Sequence, residues 1–318
     1  MVATDAGGRD VKSPGPGRVT RVLVLGRNGQ LARALAQAAW PDGWRIEFAG
    51  RDRLDMLRLE RIAPFLAEQD ADVVINTAAY TAVDLAETER DAAFQLNDEA
   101  PGAVAQFCHT KGALLIHVST DYVFGGAGTG PYDEDAPISP LSVYGFSKAA
   151  GEARALSAAA DATVARTSWL MSPDAGFLAA ILRRAVQGES LRVVKDQRGN
   201  PTLASDLAQA LVRVTRDRLR GIGQAGPLHM AGGAEASWFD LAKLAIEAAG
   251  LDTPLSPASS IDHVLPAQRP EDSRLSTLRL RQNHGIDMLP WPDWVPDTAR
   301  IGLRLAASRV ETGQQSGG

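Results

Sequence analysis

The sequence predicts an α/β fold, a doubly wound parallel sheet of the Rossmann type with a smaller interleaved substrate-binding lobe. From Arg21 onward, short aliphatic or β-branched runs alternate with longer helical patterns, the sign of successive βαβ units. The runs RVLVL (Arg21–Leu25) and ALLIHVS (Ala113–Ser119) are almost continuously apolar, as strands covered by helices on both faces must be. The first run passes directly into a glycine turn that opens a helix, which is the context a dinucleotide-binding turn requires.

In chain order, the first strand is Arg21–Leu25, the first helix Gly29–Ala39 and the second strand Arg45–Phe48. Further strands follow at Asp72–Asn76 (DVVIN), Ala113–Ser119 and Thr163–Arg166, with helices at Ala92–Lys111 and Val143–Ala160 between them. After Trp169 the alternation loosens, and Pro, Gly and polar residues cluster at 199–202, 221–227 and 252–270. The expected division is a dinucleotide-binding domain over 18–168, to which segments around 203–225 and 237–250 return. Residues 169–202 and 251–303 are expected to form the lobe, residues 1–17 a disordered tail, and 304–318 a C-terminal tail.

Composition removes several function classes. A net charge of -5, from 33 basic and 38 acidic residues, leaves no electrostatic footprint for nucleic acid or an anionic membrane surface. No stretch approaches the roughly 20 apolar residues of a membrane helix. The single cysteine, Cys108, cannot form an intrachain disulfide and has no metal-ligand companions, so a reducing cytoplasm and a packing role are expected, and no metal site.

The turn reads Gly26-Arg27-Asn28-Gly29-Gln30-Leu31-Ala32. Its first glycine permits a tight turn, and its second lets backbone amides approach a pyrophosphate at a helix N-terminus. The end of the second strand, Ala49-Gly50-Arg51-Asp52, bears on the choice of nicotinamide cofactor. Arg51 can accommodate a 2′-phosphate, pointing to NADPH, while Asp52 keeps NADH open and a simply solvated Arg51 remains an alternative.

Tyr144 and Lys148 stand at i and i+4, one turn apart on one helical face. A cation held near a phenol favours its phenolate and lowers a pKa that is ordinarily about 10. That spacing is common on any helix, and a half-buried tyrosine beside a solvated lysine is its plain alternative. Thr120, in STDYVF at the carboxyl end of a predicted strand, lies where open α/β sheets bind ligands and can hydrogen-bond a carbonyl oxygen. NTAAYT, at the end of the strand DVVIN, adds small residues where a cofactor would run.

Taken with GRNGQLA, NTAAYTAVDLAE, PLSVYGFSK, RTSWL, DQRGNPT, GPLHMAGG and RPEDSRL, these residues resemble the extended short-chain dehydrogenase/reductases. More narrowly, they resemble the dTDP-4-dehydrorhamnose reductase family, over roughly Arg21–Leu303. The resemblance implies NAD(P)H-dependent reduction of a nucleotide-activated keto-sugar, with Tyr144 as general acid, Lys148 as its tuner and ribose partner, and Thr120 polarising the carbonyl. It implies that Gly26, Asn28, Gly29, Gln30 and Leu31 cradle the pyrophosphate and that Asp55 and Met56 lie near the adenine. Ala78, Ala79 and Tyr80 would line the cofactor channel, and Val83, Asp121, Tyr122 and Trp169 would shape the sugar pocket. Arg269 and Arg274 would meet the diphosphate and nucleoside end.

Two departures from the family pattern stand out. Gly176 replaces an asparagine before Phe177, and Gly50 replaces the acidic residue after the second strand. Three readings follow: reduction of dTDP-4-dehydro-β-L-rhamnose, reduction of another dTDP-keto-deoxysugar, or a non-catalytic cofactor-binding subunit. Oligomeric state is left open, because no acidic set for a Mg²⁺-linked dimer contact can be placed.

Overall fold

The computed structural model describes residues 18–127, 130–262 and 264–315; the expected tail over 1–17 lies outside them. The first half alternates β1 (Arg21–Leu25), α1 (Gln30–Ala36), β2 (Arg45–Ala49), α2 (Ile62–Gln69) and β3 (Val73–Asn76). A long helix follows, built of α3 (Arg90–Phe94), a π-helical segment (Gln95–Glu99) and α4 (Ala100–Lys111). Next come β4 (Leu114–Thr120), α5 (Val143–Ala158) and β5 (Thr163–Thr167).

The second half contains β6 (Leu170–Met171), α6 (Gly176–Val186), β7 (Leu191–Val194), β8 (Arg198–Gly199), β9 (Thr202–Leu203) and α7 (Ala204–Leu219). It continues with β10 (Gly226–His229), β11 (Ala236–Ser237), α8 (Trp238–Ala249), β12 (Leu255–Ala258), α9 (Leu278–His284) and α10 (Trp291–Gln315).

Six strands form one parallel sheet in the order β10-β5-β4-β3-β1-β2. From β1 the chain adds β2 on one side, and from β3 it adds β4 and β5 on the other; where this order reverses, between the parallel strands β1 and β3, a crevice opens at their carboxyl ends. One face of the sheet is covered by α1, α7 and α9, through Leu31, Leu35, Leu207, Leu211 and Leu280. The other is covered by α2, α4 and α5, through Ile62, Leu66, Val104 and Ala155. Cys108 is packed in this second layer, where burial pushes its thiol up to about 12.

Two expectations are corrected, and one strand is added. β10 begins within the cluster of Pro, Gly and polar residues at 221–227, where the sequence suggests no strand; at a sheet edge a proline loses no ladder bond. The segment 237–250 does not return to the sheet, since α8 packs on α6 and α10 through Leu241, Ala245, Leu178, Leu182, Val295 and Ala299. Residues 304–315 are not a tail but the second half of α10, held by buried Ala306. By contrast α7 (Ala204–Leu219), within the other returning segment, lies against α1 and the sheet. The lobe therefore has its own helical core, and it faces the crevice from one side.

Candidate active site

A cleft of about 880 Å³ crosses the carboxyl ends of β1, β2, β3 and β4. At its floor Gly26 has φ +96°, and a Cβ there would stand 2.8 Å from both Ala78 N and Thr77 Oγ1. Only glycine allows the two turns to approach so closely. Gly29 caps α1 without a side-chain acceptor, so the first amides stay available to an anion. Ser119 and Thr167, both among the lining residues, carry buried hydroxyl oxygens without a hydrogen-bond partner. Close backbone approach, free amides and unpaired hydroxyls fit a dinucleotide.

Helix α5 brings the tyrosine and lysine to the cleft. Ser142 caps it, its Oγ accepting from Gly145 N at 3.2 Å, so that Tyr144 sits in the first turn and Lys148 in the next. Lys148 is 1% exposed. Its Nζ donates to Val118 O at 2.7 Å and stands 3.4 Å from His117 Nε2, while His117 Nδ1 is 3.2 Å from Asn76 Nδ2. Burial pushes the ammonium down to about 8, against the pull of Glu152. Burial, aided by Lys148, also holds the His117 imidazole neutral, well below its ordinary range.

The Tyr144 phenol behaves differently from the sequence expectation. Burial pushes it up to about 12, only partly opposed by its hydrogen bond with Thr120. The ammonium is directed at Val118 and His117, so desolvation dominates. A neutral, buried phenol is a proton donor rather than a phenolate. Beside it, Thr120 Oγ1 donates to Asp121 Oδ1 at 3.0 Å and accepts from Tyr122 N at 3.2 Å.

At the lobe end the Trp169 indole stacks on Trp238, with ring centroids 3.6 Å apart and planes within 7°. Phe177 meets Trp238 at 4.7 Å, and Trp238 Nε1 donates to Gln197 Oε1 at 3.1 Å. Trp169 has φ +42°, a strained conformation for a bulky residue that survives only where its surroundings fix it. Here the stack, the bond from Thr202 N to Trp169 O at 3.1 Å and Gly199 beneath the ring fix it. These contacts account for the glycine and threonine of DQRGNPT.

The structure gathers Gly26, Asn28, Gly29, Gln30, Leu31, Arg51, Asp55, Met56, Ala78 and Ala79 along this one cleft. Val83, Thr120, Asp121, Tyr122, Tyr144, Lys148 and Trp169 line it too. Tyr80 does not: its hydroxyl donates to Glu89 Oε2 at 2.7 Å, and its backbone is clamped by Asn97. Arg269 lines a second cavity of about 800 Å³, which shares Tyr122, Phe177 and Trp238 with the cleft. There it holds Asp84 through two bonds of 2.7 Å and hydrogen-bonds Tyr122.

Arg274 lines neither cavity. Asp272 and Glu235 occupy its guanidinium, so its expected place at the diphosphate is corrected to a structural ion-pair network. Sequence reasoning missed Arg184 and Arg192, which line the second cavity, and His117, Asn76 and Trp238. Trp238 follows Ser237, whose capping box with Asp240 starts α8. That pattern could have located the helix, but nothing local pairs it with a tryptophan 69 residues earlier.

Comparison with known proteins identifies the family. Residues 20–301 match the family described as RmlD substrate binding domain. A dTDP-4-dehydrorhamnose reductase of Sinorhizobium fredii is 37% identical over 288 residues, covering 88% of this chain and 96% of the relative. A probable dTDP-4,6-dihydroxy-2-methyloxan-3-one 4-ketoreductase of Streptomyces antibioticus is 38% identical over 278 residues, covering 86% of this chain and 92% of the relative. The crystal structure of dTDP-4-dehydrorhamnose reductase from Bacillus anthracis in complex with NADP superimposes with a TM-score of 0.83. It is 31% identical, and the match covers 88% of this chain and 99% of that one. With a family match over residues 20–301, a relative 37% identical and covered over 96% of its length, and the same fold, the chain belongs to the dTDP-4-dehydrorhamnose reductase family.

Proposed function

We propose that the chain reduces the 4-keto group of dTDP-4-dehydro-β-L-rhamnose to give dTDP-β-L-rhamnose, using NADPH. The observation that carries this reading is the meeting of Thr120, Tyr144 and Lys148 in the cleft that also contains the glycine turn. When bound, the nicotinamide supplies a hydride to the carbonyl carbon. The chain's part is to hold Tyr144 protonated and aimed at the carbonyl oxygen, so that the developing alkoxide is neutralised as it forms. Lys148, fixed beneath the sheet end by Val118 and His117, supplies positive charge on the ribose side.

Residues 18–168 with α7 are the cofactor half, and the lobe with α6, α8 and α10 is the sugar half. Trp169 and Trp238 offer a flat apolar wall for a deoxysugar. Arg184, Arg192 and Arg269 line the adjoining cavity, each paired with a carboxylate (Glu189, Asp262 and Asp84), and would serve a nucleoside diphosphate by exchanging those partners for it. Arg27 and Arg51 both line the cofactor end, and Arg27 stands 3.6 Å from Asp52, offsetting its charge. This favours a 2′-phosphate and hence NADPH, with NADH as the second cofactor; the NADP of the Bacillus anthracis structure supports it. Among the described residues no helix is long and apolar enough to cross a membrane, and reduced nicotinamide points to the cytoplasm.

A second reading, reduction of another dTDP-keto-deoxysugar, rests on Gly176. Its φ of +78° turns the chain beside Gln30 at the cleft edge, and the Streptomyces antibioticus relative is named for a different ketosugar. Turnover of NADPH by purified protein against a panel of dTDP-keto sugars tests both. Highest kcat/KM on dTDP-4-dehydro-β-L-rhamnose is expected. A clear preference for another sugar replaces the first reading with the second, and no oxidation of NADPH by any of them rejects both.

A further inference from the structure

Asp121 is buried beside the Thr120 hydroxyl, 2% exposed, and no arginine or lysine is among the groups that act on its carboxyl. Its carboxyl is held by three hydroxyls, Thr120 Oγ1 at 3.0 Å on Oδ1, Ser168 Oγ at 3.1 Å on Oδ2, and Ser273, and by the Asp121 backbone amide. Ser168 follows β5 and Ser273 belongs to the RPEDSRL segment, so three separate elements converge on one carboxyl. The titratable groups facing it are Tyr122, on the turn after β4, and Tyr144, on α5; Arg269 reaches it only through Tyr122.

A threonine hydroxyl has one proton and can donate in one direction only. In the structure that proton goes to Asp121, and the same oxygen accepts from Tyr122 N and faces the Tyr144 phenol. Pointed this way, Thr120 cannot donate to a ketone oxygen. If the carboxyl carries a proton, the direction reverses: Asp121 donates to Thr120, and the Thr120 proton is released toward the substrate. We propose that Asp121 is a positioning residue that, by gaining or losing a proton, sets whether Thr120 can hydrogen-bond the substrate carbonyl.

The inference rests on the reductase reading above. Burial pushes the Asp121 carboxyl up to about 6 against the opposing hydroxyl bonds, so the reversal falls within a working pH range. In the protonated state two donors, Tyr144 and Thr120, face the oxygen that gains charge. The Asp121 proton is not consumed: hydride reaches the carbonyl carbon, the Tyr144 proton reaches the oxygen, and Thr120 and Asp121 keep their protons.

The test is the single-turnover rate of hydride transfer from NADPH-loaded enzyme to dTDP-4-dehydro-β-L-rhamnose between pH 5 and 8, with infrared spectra of the carboxyl C=O band. The wild-type rate is expected to fall about tenfold or more as pH rises through about 6. In Asp121→Asn the amide nitrogen donates permanently to Thr120, so the inflection should vanish. Thr120→Val should also lack it, because the effect acts through that hydroxyl, and this variant serves if the asparagine protein does not fold. A wild-type profile without the inflection, or an inflection retained in either variant, overturns the proposal. If the wild type transfers no hydride at any pH, the reductase reading fails instead. The infrared band still decides the hydrogen-bond switch: it should titrate near pH 6 and shift in Thr120→Val, and a band that does neither rejects it.

Discussion

The Trp169 indole lies over Gly199 so closely that a Cβ at position 199 would fall 2.4 Å from the ring. Gly199→Ala must therefore displace an indole that is also fixed by its stack on Trp238. Overpacking of this kind costs about 1–3 kcal/mol, readable as a lowered urea midpoint. Loss of the flat wall should raise KM for the keto sugar about tenfold, while NADPH affinity stays within about twofold. An unchanged KM would show that Trp169 does not contact the sugar.

Arg51→Ala tests the cofactor preference. If the guanidinium meets the 2′-phosphate, the variant should bind NADPH about tenfold more weakly and NADH unchanged, by fluorescence titration. Equal weakening of both cofactors would place Arg51 elsewhere, and no effect would return it to a solvated surface charge.

His229 gives a pH dependence with a definite sign. It is buried, Nδ1 lies 3.2 Å from Ser276 O and Nε2 3.4 Å from Arg166, and burial with Arg166 pushes its imidazole down to about 3. Unfolding releases it to an ordinary value of about 6.5. The unfolded state then binds a proton that the folded state refuses, so this group's contribution is intact above pH 6.5 and is lost as pH falls. The loss is about 2 kcal/mol between pH 7 and 5. Relative to wild type, His229→Gln should show a stability less dependent on pH across that range; parallel dependences in urea denaturation would contradict it.

The cofactor half was legible because its signals are local. The strand Arg21–Leu25, the turn at Gly26 and the i, i+4 pair Tyr144 and Lys148 each declare themselves within a few residues. The lobe was not, because its contacts are distant in sequence. Trp169 meets Trp238 only in space, and α10 continues through Gly302, which stands just before the point where the sequence suggests a tail. Arg274 misled for the opposite reason: a guanidinium is equally suited to phosphate and to the carboxylates Asp272 and Glu235 that hold it. The tuning of Tyr144 was misjudged because the sequence gives spacing but not direction, and Lys148 turns toward Val118.

The central claim is that the buried, protonated Tyr144 phenol delivers the proton to the sugar oxygen. It is tested most directly by the single-turnover oxidation of enzyme-bound NADPH by dTDP-4-dehydro-β-L-rhamnose in wild type and Tyr144→Phe. Removing the proton donor should slow that step about 100-fold or more while NADPH affinity stays within about twofold. Equal rates in the two proteins would contradict the account.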